Sequence, residues 1–114
     1  MSEAYATAGS LPLLWLALVI AAPLFEELFF RGFLFAGLVS SRLGASGTIV
    51  ITAFVWGVIH LQYEAVDIFM VCILGLILGL ARLKTDSVYT PIALHSFANL
   101  VATIETSLFG TTST

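Results

Sequence analysis

Residues 25–32 read FEELFFRG, two adjacent acids and an arginine set among phenylalanines and a leucine. Between residues 11 and 39, Glu26, Glu27 and Arg31 are the only charged side chains. An apolar run of this length is enough to cross a hydrocarbon core of about 30 Å, for which about 20 helical residues suffice. An ionisable group at that depth costs several kcal/mol unless it is paired or hydrated, and by default it marks function. The stretch therefore predicts a membrane helix that carries a polar site.

Composition extends this reading to the whole chain. Of 114 residues, 60% are hydrophobic and 10% charged. A soluble domain carries about 25% charged and about 45–50% apolar residues, so the sequence reads as an integral membrane protein. The net charge of −3 and the lack of a basic patch exclude nucleic acid as a partner. Cys72, the single cysteine, forms no internal disulfide and reads as a small apolar filler. The N-terminus has Glu3 and no basic residue before the first apolar run. A signal peptide needs a basic stretch there, so the run is expected to remain as a span.

The pattern predicts a single all-α domain, a multi-pass transmembrane bundle of four helices over about residues 11–39, 48–61, 66–83 and 91–109, with a polar tail at 110–114. Ser10 is the expected cap of the first helix with Pro12 in its first turn, and Thr90 with Pro91 the expected start of the fourth. Pro23 removes a backbone donor inside the first helix and predicts a kink there. The second segment, at 14 residues, is short for a span. Gly75 and Gly79 read as a small-residue packing face. Arg42 lies in the stretch 40–47 and Arg82 and Lys84 in 82–87, so the positive-inside rule assigns both loops to the cytoplasm.

Helical spacing sorts the polar residues. Glu27 and Arg31 are four apart and share a face, so they are expected to pair. Glu26 is turned by about 100° from Glu27 and is left free, which suits it to proton transfer. Trp56 and His60 repeat the four-residue spacing on the second segment, and His95 and Asn99 on the fourth. One free acid, two histidines and an asparagine are enough to activate a water and hold an oxyanion. The depths agree only if the short second helix leaves His60 near mid-membrane and tilt absorbs a residual mismatch of about 10 Å with His95.

These motifs resemble those of the CPBP family of intramembrane proteases, which includes the type II CAAX prenyl endopeptidases and bacteriocin-immunity-associated proteins. EELFFR matches the family's E-E-x-x-x-R, WGVIH its F-x-x-x-H with Trp56 in place of the usual Phe, and HSFAN its H-x-x-x-N or H-x-x-x-D. The resemblance spans about residues 20–105. It implies a glutamate-dependent endopeptidase in which Glu26, helped by His60, activates water. His95 and Asn99 would stabilise the oxyanion, while Glu27, Arg31 and Trp56 support the site. The implied substrate is a membrane-associated peptide or protein, prenylated in the CAAX case, and the implied surroundings are membrane lipids. No cofactor is expected; a zinc ion held by Glu26, His60 and His95 is the minority variant. The other functional class is a non-catalytic immunity or scaffold protein of the same family. Family members usually carry more helices than these four, so the chain reads as a piece of a longer protein, a minimal member, or a unit completed by partner helices or a second copy.

Overall fold

The computed structural model describes residues 9–109, and among these every regular element is helical. There are four helices: α1 (Leu11–Val39), α2 (Gly44–Val58), α3 (Ala65–Thr85) and α4 (Tyr89–Leu108). The expected tail at 110–114 lies outside the described residues. The N-terminal half of α1 packs on α4 and its C-terminal half on α2, while α3 packs along both α2 and α4. The bundle measures 46 × 26 × 18 Å, and its long dimension matches a bilayer with its headgroups, about 40–45 Å.

The helix starts follow local chemistry. The Ser10 hydroxyl accepts from the Leu13 N–H at 3.5 Å, and Pro12 occupies the first turn of α1. The expected cap of α4 is corrected: the helix begins at Tyr89, whose N–H is taken by the Ser87 hydroxyl at 3.1 Å, and Thr90 lies inside it. The expected loop 40–47 is also shorter, because Gly44 already opens α2. Thr48 and Thr52 continue that helix while buried, since each hydroxyl closes on a carbonyl of the preceding turn (Gly44 at 2.6 Å, Thr48 at 2.8 Å). Arg82 and Lys84 belong to the last turn of α3 rather than to a loop, where cations complement the helix dipole. Asp86 ends α3 in the left-handed conformation.

The interior combines an apolar core of Phe30, Trp56 and Leu78 with polar side chains, and large apolar side chains face outwards. Glu27, Arg31, Thr48, Thr52, His95 and Thr103 are buried, and Phe25, Phe33, Phe54, Val66 and Phe69 face outwards. Both α1 and α3 are long and apolar enough to cross a membrane, and only 17% of the most apolar stretch of each is buried inside the protein. A soluble core helix is mostly buried; these two present their hydrocarbon surface outwards, as lipid demands. At 15 residues, α2 is the short member.

Small residues bring α2 and α3 together. A Cβ added at Gly75 would lie 3.0 Å from the Trp56 ring and 3.2 Å from the Ala53 Cα, and one at Gly79 would lie 3.2 Å from Ile49. The expected packing face is thus the one used, and Gly57 extends it from the other helix, within 2.5 Å of Cys72 Sγ by the same construction.

Pro23 is accommodated by a change of register. Two segments of α1, Ala17–Ala21 and Leu28–Leu34, are wound as π-helix, on either side of the α-helical Ala22–Glu27. The amides that reach the Leu18 carbonyl in an α or π register are those of residues 22 and 23. Ala22 donates to Ala17 instead, and residue 23 is proline. The Leu18 carbonyl is taken by the Asn99 side chain, whose Nδ2 donates at 2.8 Å. The second segment repeats the device. Phe35 N–H reaches the Gly32 and Phe30 carbonyls and skips that of Arg31, which accepts from Arg82 Nε at 2.9 Å.

Candidate functional site

The α-helical stretch Ala22–Glu27 carries the two acids midway along α1, and it aims them differently. Glu27 points into the bundle and is fully buried; Glu26 is half-buried at its side. Glu27 Oε2 accepts from Arg31 Nη1 at 3.1 Å, the pairing that the four-residue spacing predicts. Arg31, equally buried, also donates from Nη2 to the Gly75 carbonyl at 3.0 Å. Glu27 Oε1 and Arg31 Nε are buried without a protein partner.

Glu27 has a second partner that spacing did not indicate. His95 Nδ1 lies 2.7 Å from the same Oε2, so one carboxylate oxygen joins α1 to α4. The oxygen paired with Arg31 can only accept, so Nδ1 carries the hydrogen and Nε2 is the free nitrogen of the ring. His60 is fixed in the same tautomer. Its Nδ1 meets the Trp56 carbonyl at 2.6 Å, and a carbonyl can only accept. In the neutral ring the His60 Nε2 therefore presents a lone pair.

The centre of the arrangement is Trp56, which is 2% exposed. Its Nε1–H donates to Glu26 Oε1 at 3.2 Å. The rings of His60 and His95 stand edge-on to its indole at 5.3 and 5.2 Å between centroids, and the Arg31 guanidinium lies over it at 4.7 Å. Both histidines thus reach one indole, and the feared depth mismatch is absent: α2 ends at Val58, and His60 follows in a turn closed by its N–H on the Gly57 carbonyl at 3.0 Å.

Glu26, Glu27, Arg31, Trp56, His60 and His95 are thereby brought together. Asn99 is one turn further along α4 from His95, and its amide is bonded to Leu18 of α1. Among the described residues no three His, Cys, Asp or Glu side chains are grouped to hold a metal ion. Glu26, His60 and His95, the set of the minority zinc variant, each meet the indole of Trp56. Sequence reasoning missed three contributors: the Gly75 carbonyl, the Arg82 side chain and the central position of Trp56. The first is backbone and leaves no mark in side-chain pattern. The third had a signal, because a buried indole seeks an acceptor for its N–H, which phenylalanine does not.

The arrangement offers a half-buried carboxylate, Glu26, held by one oxygen only, with two imidazoles of fixed tautomer and a paired cation around a single aromatic residue. No curated protein and no solved structure matches the chain. The sequence model of the Rce1-like type II CAAX prenyl endopeptidases, however, matches residues 8–101, well over half of the chain, and the chain belongs to that membrane-embedded protease family.

Proposed function

We propose that the protein is an intramembrane endopeptidase that hydrolyses a peptide bond of a membrane-associated substrate through a water activated by Glu26 and His60. The observation that carries this reading is the convergence of Glu26, His60 and His95 on Trp56 inside a lipid-facing bundle. Trp56 holds Glu26 by Oε1, which leaves Oε2 to take the proton of the attacking water. His60 Nε2 accepts the second hydrogen bond of that water. The water oxygen bonds to the substrate carbonyl carbon and generates an oxyanion. His95, held through Nδ1 by Glu27 Oε2, donates to that oxyanion from Nε2 in its imidazolium form. Collapse breaks the C–N bond, and Glu26 returns its proton to the leaving amine.

Membership of the family supports a CAAX-type substrate, cleaved beside a prenylated cysteine. The exposed aromatic ridge of Phe25, Phe29 and Phe33 on α1 keeps such a lipidated chain at the depth of the site. The basic ends of α1–α2 and α3–α4 lie together, because Arg82 reaches the Arg31 carbonyl, and we assign that end to the cytoplasm. Cysteines introduced for Ser41 and Lys84 in a Cys72→Ala background should then react with an impermeant maleimide only from the cytoplasmic side; labelling of either from the opposite side contradicts the assignment.

The activity test uses the purified chain in nanodiscs with a farnesylated CAAX peptide and its unprenylated twin, followed by mass spectrometry. Release of the C-terminal tripeptide from the farnesylated peptide is the expected result. A properly inserted chain that cleaves neither peptide favours the second reading, a non-catalytic immunity or scaffold protein.

A further inference from the structure

We infer that Asn99 is a positioning residue, which locks the register of α1 ahead of Glu26 by occupying the carbonyl that Pro23 leaves open. Pro23 lies three residues before Glu26, in the first turn of the α-helical stretch that follows the first π segment, and has no amide to give. The Ala22 amide is spent on Ala17, so the Leu18 carbonyl has no acceptable donor within its own helix. In a lipid-facing helix such a carbonyl must be satisfied from elsewhere or the turn rewinds. Asn99 Nδ2 meets it at 2.8 Å from α4. The contact does two things at once. It makes the π winding of Ala17–Ala21 tolerable, and it ties α1 to α4 one turn from His95. Because a π turn closes over five residues where an α turn closes over four, rewinding it would rotate Glu26 and Glu27 away from Trp56 and His95.

The second π segment supports the same logic independently. There Arg82 occupies the skipped carbonyl of Arg31, so each π segment of α1 is closed by a side chain from another helix. The acids lie between the two closures.

Pro23 supplies the test, because alanine at that position restores the missing amide. The measurements are thermal unfolding and turnover of wild type, Pro23→Ala, Asn99→Ala and the double variant in nanodiscs; the turnover arm rests on the endopeptidase reading, and the stability arm does not. With Pro23 present, Asn99→Ala should lower the unfolding temperature and reduce turnover by on the order of 100-fold, the effect of a misplaced catalytic group. In the Pro23→Ala background, the same substitution should have little effect on either, since the new amide takes the Leu18 carbonyl. Asn99→Leu, which keeps the shape and loses the donor, should behave like Asn99→Ala and serves if the alanine variant does not fold. Equal losses in both backgrounds overturn the inference. So does a double variant that regains stability without turnover, because Asn99 then acts on the substrate itself. A wild-type chain without turnover sinks the endopeptidase reading, while the stability cycle still decides the inference.

Discussion

At the scale of single residues, the two adjacent acids do different work. Glu27 holds Arg31 and His95 on one oxygen, whereas Glu26 holds only the Trp56 indole at the edge of the bundle. Removing the charge of Glu27 strands a fully buried arginine, a loss of about 3–5 kcal/mol for a buried pair. Glu27→Gln is therefore expected to lower the unfolding temperature in detergent far more than Glu26→Gln; equal losses would contradict this division. The division itself was legible in the sequence, because Glu27 and Arg31 are separated by one helical turn. The bond from His95 to Glu27 was not legible. It spans 68 positions of sequence, and nothing in either motif says which face of α4 meets α1.

At the scale of the helices, the apolar periods and the Pro and Gly punctuation revealed the number, order and approximate extent of the four elements. What they concealed was winding. Two π segments in α1 leave no trace in the hydrophobic pattern, since the exterior is apolar on every side and the amphipathic signal that would report a phase shift is missing. The α2–α3 seam, by contrast, was written in Gly75 and Gly79. A methyl group at Gly75 meets the Ala53 backbone and the Trp56 ring, neither of which can turn aside. Gly75→Ala should destabilise the fold by about 1–3 kcal/mol, the effect of overpacking. Gly37→Ala, on the open surface of α1, should be neutral or stabilise by up to about 1 kcal/mol. Thermal unfolding of the two variants side by side checks this, and indistinguishable transitions would contradict the close seam.

At the scale of the molecule, a bundle with lipid-facing phenylalanines outside and charges inside makes sense as a way of holding polar chemistry in the membrane. Low dielectric strengthens each contact around Trp56, and the surrounding helices fix the histidine tautomers before substrate arrives. The sequence points to such a site because its charges are few and sit where each is expensive. It did not show that an indole is the centre. The central claim is that Glu26 is the base of a hydrolytic site. Cleavage of a farnesylated CAAX peptide by Glu26→Gln and wild-type chains, matched for folded protein in nanodiscs, tests it most directly. The account predicts a fall of about 10²–10⁴-fold, the usual worth of a general base. Rates that agree within the error of the assay would contradict it.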